Sequence, residues 1–165
     1  MLAMEPSASK EIATPRLAST VLLVRDSAEG MEVFMVVRHH QIDFASGALV
    51  FPGGSTDKED FAIAADVARC GGDDGLDEKA RAFRVAAVRE TFEECGVLLA
   101  RPRGSADLLD GARVDAICKT ASGKSFGDLI AEQDLELAID LLTPFAHWIT
   151  PTLLPKRFDT HFFIA

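Results

Sequence analysis

Cysteine is scarce in this chain of 165 residues: Cys70, Cys95 and Cys118 are odd in number, widely spaced and free of any CxxC pair. That pattern excludes a disulfide framework and a cysteine-ligated zinc site, and a reducing, cytoplasmic setting is the expectation that follows. Positive charge is also short. Seventeen Lys and Arg stand against 26 Asp and Glu, a net charge of −9, which excludes the basic surface that non-specific nucleic-acid binding needs. It leaves a phosphorylated small molecule open as substrate, because bound cations can supply the local positive charge. No apolar run approaches the length of a bilayer span, the N-terminus has no basic-then-apolar leader pattern, and no internal repeat is visible. Neither nucleic acid nor membrane is expected as a partner. The 48% hydrophobic and 26% charged content is ordinary for a globular domain, and the length suits one domain with a core.

Periodicity and turn chemistry outline the elements. Residues 1–16, with Pro6, Ser7, Ser9, Thr14 and Pro15, read as an N-terminal arm, leaving 17–165 as the domain. Residues 17–25 and 33–38 read as strands joined through Asp26-Ser27-Ala28-Glu29-Gly30, a hairpin. A loop at 39–47 leads to a short strand at 48–51. Residues 59–70 have a helical pattern with Asp57 as candidate cap, followed by a glycine-rich acidic loop at 71–75. A long helix spans 79–95, with Gly96 as its stop, and 97–100 should be a strand. Short helices are expected at 106–109, 126–133 and 135–142, then strands at 147–150 and 157–165.

The long helix carries the chemistry. Glu90, Glu93 and Glu94 fall within an arc of roughly 100° on one face, while Val85, Val88, Phe92 and Cys95 form an apolar stripe opposite. Like charges so spaced repel by a few tenths of a kcal/mol per exposed pair, so a cation over them is the natural complement. A hard divalent ion such as Mg²⁺ takes oxygen ligands of this kind together with substrate phosphates. The alternative is a solvated acidic face. Upstream, Phe51-Pro52-Gly53-Gly54 follows an apolar run, and its glycines permit close backbone approach to a ligand.

FPGG followed by Arg89-Glu90-Thr91-Phe92-Glu93-Glu94-Cys95-Gly96-Val97 resembles the Nudix hydrolases, whose box reads G-x5-E-x7-R-E-U-x-E-E-x-G-U with U apolar. The second half matches at every fixed position; Thr91 stands where the first U is expected. Gly54 lies 35 residues before Arg89 (89 − 54) where the box has 14, so about 21 residues are inserted between loop and helix. With an insert taken as 55–78, the first glutamate of the box has no assigned counterpart, and the acids Asp57, Glu59, Asp60, Asp73 and Asp74 read as a solvated run. The insert is expected to loop out and leave Gly53 beside Glu90 and Glu94. The resemblance implies an α/β (α+β) fold with a mixed sheet between helices. It also implies Mg²⁺ or Mn²⁺ held by Glu90, Glu93, Glu94 and the Gly53 carbonyl, with Arg89 clamping the glutamates and Glu93 or Glu94 taking a proton from the attacking water.

Upstream of FPGG the chain is similar to the signature of Nudix coenzyme A diphosphatases, approximately R-S-x3-R-x3-G-x3-F-P-G-G. Arg38 and Gly47 match it; His39 replaces the serine and Asp43 the second arginine. Arg38, Gly47 and Gly54 are the candidate substrate-binding residues. The split box, His147-Trp148-Ile149-Thr150-Pro151 and the RFDTHFF strand look most like the motif-nineteen subgroup. That implies a CoA-like nucleoside diphosphate derivative as substrate, cleaved to 3′,5′-ADP and a phosphopantetheine product. Two alternatives stand beside it: a Nudix pyrophosphatase for ADP-ribose, a dinucleotide or a nucleotide sugar, and a Nudix-fold binding module without turnover. Bland roles fall to His39 and His40 (surface), Cys95 (packed) and Trp148 (core or pocket wall). Since a Nudix domain normally continues with a further strand and helix, the last strand is expected to expose Phe162, Phe163 or Ile164 and to favour homo-oligomers.

Overall fold

A computed structural model describes residues 12–37, 47–72 and 75–165. Its centre is a four-stranded mixed sheet. Strand β1 (Arg16–Leu22) runs parallel to β10 (Phe158–Ile164), and β6 (Gly53–Ser55) and β9 (Thr143–Ile149) flank them antiparallel, in the order β6-β1-β10-β9. Three two-stranded ribbons surround it: β2 (Val24–Ser27) with β3 (Gly30–Val33), β4 (Val36–Val37) with β5 (Leu49–Val50), and β7 (Ala100–Pro102) with β8 (Leu135–Leu137). The expected strands 17–25 and 33–38 are interrupted at Leu23 and at residues 34–35, but the expected turn at 26–30 makes the hairpin β2–β3. Ser27 closes it by accepting from Glu29 N and donating to the Gly30 carbonyl.

The 18-residue helix α2 (Glu78–Cys95) organises the core. Asp77 caps its start by accepting from Ala80 N, and Gly96, with φ 69°, ends it in the left-handed conformation a β-carbon disfavours. Val85, Ala86, Ala87, Val88 and Thr91 are all fully buried, so the middle of α2 is enclosed on more than one side. Burying a valine side chain contributes about 1.5–3 kcal/mol. Thr91 satisfies its hydroxyl within the helix by donating to the Ala87 carbonyl at 2.7 Å, which is how a polar residue fills an apolar position of the box. Ser19 of β1 donates to the Phe83 carbonyl at 2.6 Å and joins sheet to helix.

The insert does not loop out. Its first part is helix α1 (Lys58–Ala65), which packs on α2, and a 3₁₀ turn follows at Val67–Arg69. Asp57 caps α1 in a reciprocal capping box with Asp60. The chain then docks on β8: Gly71 N donates to the Leu137 carbonyl at 2.8 Å and Arg69 to the Leu135 carbonyl at 3.1 Å. Ile63, Ala64 and Cys70 are buried in the shared core. Residues 73 and 74 lie outside the described residues.

Several expectations for the second half are corrected. Residues 106–109 form no helix; helix α3 (Gly111–Thr120) begins after Asp110, which caps it. Helix α4 (Phe126–Glu132) lies where expected. Residues 135–142 are strand β8 and a 3₁₀ turn, because Leu135 and Leu137 alternate with Glu136 at period two. Extended pairing starts at Ala100 rather than 97. Strand β10 is interior, paired on both sides, and Phe163 is only 2% exposed. The exposed edge is β9, where Trp148 is 63% exposed and therefore lies outside the core. Among the described residues no helix is long and apolar enough to cross a membrane.

Candidate active site

Pairing β6 with β1 sets Gly53 opposite Thr20 and Gly54 opposite Ser19, and so carries the glycine pair to the C-terminal half of α2. The Gly53 N–H donates to Glu94 Oε2 at 2.9 Å. Gly54 sits so close to Glu90 that an added β-carbon would stand 2.4 Å from the carboxylate carbon and 2.5 Å from either oxygen. At Gly53 such a carbon would lie 2.3 Å from the Ser19 carbonyl oxygen. An added β-carbon would thus meet backbone at Gly53 and the Glu90 carboxylate at Gly54. Gly53, Gly54, Glu90 and Glu94, 36 to 41 positions apart by their numbers, form one cluster.

Arg89 holds this cluster in register. Its Nε and Nη2 donate to Asp60 Oδ1 and Oδ2 at 2.8 and 2.9 Å, a bidentate pair. Nη1 donates to Glu90 Oε1 at 2.8 Å and Glu93 Oε2 at 3.0 Å, and Nη2 also to the Ser55 carbonyl at 3.0 Å. Every nitrogen of the guanidinium is engaged, with 6% of the side chain exposed. Burial opposes the charge on Arg89, but the hydrogen bonds and charge of Asp60, followed by Glu90, outweigh it and raise its pKa.

Asp60 is the residue that sequence reasoning missed. Read as part of a solvated acidic run, it is fully buried. It is also the sixth residue after Gly54, the position of the first glutamate in G-x5-E. The insertion accordingly falls between this acid and Arg89, and six positions counted from Gly54 would have found it.

The three carboxylates of the helix stand together at this site. Glu90 is mostly buried, and its pKa is raised first by that burial, against the lowering effect of Arg89, with the neighbouring charges of Glu93 and Glu94 adding to the rise. Glu93 and Glu94 are exposed. Among the described residues no hydrogen bond engages Glu90 Oε2, Glu93 Oε1 or Glu94 Oε1. An all-oxygen donor set within about one helical turn suits a hard divalent ion such as Mg²⁺. On the far side of Gly53 and Glu94 lies a cleft of about 620 Å³, walled by Met35, Val36, Leu49, Phe51 and Phe162.

Of the other candidates, Gly47 is described, with φ 75°, whereas Arg38, His39, His40 and Asp43 lie outside the described residues. Cys95 is half-buried with Sγ 2.8 Å from the Thr91 carbonyl, and burial pushes its thiol pKa up, as suits a packed cysteine.

Comparison with known proteins identifies the family. Residues 64–165 match the family described as NUDT19 Nudix domain. A crystal structure of a Nudix hydrolase from Alicyclobacillus acidocaldarius superposes with a TM-score of 0.74 at 30% identity, covering 94% of this chain and 71% of that one. The chain belongs to the Nudix hydrolases, and within them to the NUDT19-type domain. The putative nudix hydrolase 7 of Caenorhabditis elegans is 30% identical over 153 residues, 90% of this chain and 43% of that protein. The human acyl-coenzyme A diphosphatase NUDT19 is 36% identical over 104 residues, 51% of this chain and 26% of that protein. The chain thus spans less than half the length of these curated relatives.

Proposed function

We propose that the chain hydrolyses coenzyme A or an acyl-CoA at the pyrophosphate, giving 3′,5′-ADP and a phosphopantetheine product. The observation that carries this reading is the closure of Gly53-Gly54 onto Glu90 and Glu94 around a fully engaged Arg89. Glu90, Glu93, Glu94 and the Gly53 carbonyl are the groups that would hold Mg²⁺ or Mn²⁺. Such an ion, when bound, neutralises pyrophosphate oxygens and lowers the pKa of a water. Arg89 acts through others: it fixes Glu90 and Glu93 in one orientation, so that little reorganisation is needed when substrate arrives. Glu93 and Glu94, both exposed, are the carboxylates with access to take the proton of an attacking water. Gly54 leaves the space that Glu90 fills. Arg38 and Gly47, on the segment before FPGG, are the candidate substrate-binding residues, Arg38 for a phosphate. The apolar cleft beside Glu94 suits the pantetheine or acyl arm, and the printed names of the human and Xenopus relatives, acyl-coenzyme A diphosphatases, support the CoA class.

The test is a substrate panel of CoA, acyl-CoA, ADP-ribose, a dinucleotide and a nucleotide sugar, each with Mg²⁺ and with Mn²⁺, products being identified by mass. CoA compounds should give the highest kcat/KM. Glu94→Gln should keep the fold and lose roughly 10²-fold or more in kcat, the equivalent of several kcal/mol. Near-normal turnover in that variant, or a preference for ADP-ribose, would overturn the assignment.

A further inference from the structure

A second cluster of ligating side chains lies away from the glutamates. His147 on β9 and His161 on β10 are direct cross-strand partners, and Asp159, two residues before His161, projects from the same face of β10. Neighbours across and along a pleated sheet stand close enough for their side chains to converge on one point. Here they do: one ligand atom from each of the three lies within 4.8 Å of the others. His147 Nε2 meets Asp159 Oδ1, and His161 Nε2 lies 3.9 Å from that oxygen. The imidazoles stack with centroids 4.3 Å apart, and His161 rests on the Phe83 ring at 3.9 Å, which fixes its plane. The three line or adjoin a cleft of about 420 Å³ that also holds Lys79 and Arg84. Phe83 precedes Glu90 by seven residues, about 10 Å of helix, so this cluster is separate from the one on the C-terminal half of α2.

We propose that His147, Asp159 and His161 bind a zinc-class divalent ion. Two imidazoles and one carboxylate form a donor set suited to such an ion, and an open position would face the cleft. Ligands at about 2.0–2.2 Å from one zinc ion stand roughly 3–4 Å apart, a small side-chain adjustment from the arrangement present. Mg²⁺, which demands oxygen ligands in near-octahedral geometry, does not suit this set, so the two clusters should sort different metals. His161 is biased toward the neutral form a metal requires, first by burial and then by His147, Lys79 and Arg84, against the opposing charge of Asp159. Lys79 and Arg84 make the open position favourable to an anionic fourth ligand.

The test is calorimetric titration of the metal-stripped full chain with Zn²⁺ in excess Mg²⁺, comparing wild type, His147→Gln, His161→Gln and Glu90→Gln/Glu94→Gln. His147 sits on the exposed edge strand, so its replacement should leave the fold intact. Wild type and the double glutamate variant should bind one Zn²⁺ with equal affinity. Either histidine variant should lose more than the roughly 10–100-fold that removal of an outer-shell partner alone costs. Co²⁺ in place of Zn²⁺ should give the intense visible bands of a low-coordinate nitrogen–oxygen site in wild type, and His147→Gln should abolish them. No Zn²⁺ binding by wild type, undiminished binding by His147→Gln, or loss of binding in the double glutamate variant would each overturn the proposal.

Discussion

Replacing Asp60 with alanine tests the architecture of the site most directly. The substitution removes both acceptors of the bidentate pair with Arg89 and leaves a guanidinium, 6% exposed, with two donors lacking their partner. Breaking a buried ion pair from one side costs about 3–5 kcal/mol. Losing the bond from Asp57 N to Asp60 Oδ2 should add a smaller amount, on the order of 1 kcal/mol. Glu90, Glu93 and the Ser55 carbonyl still hold the other side of the guanidinium, so the lower end of that range is the better figure. For a domain of this size, at about 2–4 °C per kcal/mol, a loss of about 3–4 kcal/mol lowers Tm by roughly 6–16 °C. Circular dichroism melts and urea unfolding give the measurement, with kcat on the preferred substrate recorded at a temperature where the variant is folded. The kcat should fall as well, because Arg89 orients Glu90 and Glu93. A loss below about 1 kcal/mol for Asp60→Ala would refute the central role given to this pair.

Three more outcomes follow from the same geometry. Gly54→Ala should sharply reduce turnover with little loss of stability, because the new methyl meets only the movable end of Glu90, whereas Gly53→Ala meets the Ser19 backbone and should unfold more readily; paired melts and assays separate the two. Glu90→Gln should abolish activity yet stabilise the metal-free fold at neutral pH: a raised carboxyl pKa means that ionising Glu90 costs the folded state, a cost absent below its ordinary value near 4.5 and complete only above its folded value, so the gain measured by urea unfolding should shrink toward acid. Thr91→Val should be tolerated, with a stability change within about 1.5 kcal/mol, since the hydroxyl it removes is satisfied only inside its own helix.

The parts legible in the sequence were those dictated locally. Glu90, Glu93 and Glu94 share a face because helical geometry leaves no alternative, Gly96 ends α2 because the left-handed conformation favours glycine, and Asp57 caps α1 because its carboxylate can reach the first free amides. What misled were positions decided by distant partners. Trp148 has a core residue's chemistry but lies on the edge strand β9. Three residues of alternation at Leu135–Leu137 are too few to outweigh a helical pattern, and pairing with β7 settles them as a strand. Asp60 looked solvated because it was read among the acids of the insert rather than counted six positions on from Gly54, and its burial depends on Arg89, 29 residues away.

That last pairing also explains how a box divided in sequence is held together in space. With Asp60 as its first acid, 28 residues separate it from Arg89 (89 − 60 − 1), four times the seven of the uninterrupted pattern. At about 0.6 kcal/mol per doubling of loop length, the added closure entropy is roughly 1.2 kcal/mol. The insert offsets that cost several times over by burying Ile63, Ala64 and Cys70 and by docking on β8. Glu59 ties α1 to the start of α4 by accepting from Gly127 N at 2.9 Å. The break falls where extra chain does the least harm: Gly53, Gly54 and Asp60 stay on one short segment, the three glutamates stay on one helix, and Arg89 joins the two. Moving the same residues between Gly54 and Asp60 would separate the glycine pair from the acid that positions α1. Such a variant should retain α2 and the β6–β1 pairing that seats Gly53, yet loosen the Asp60–Arg89 pair, so that turnover and melting temperature should both fall.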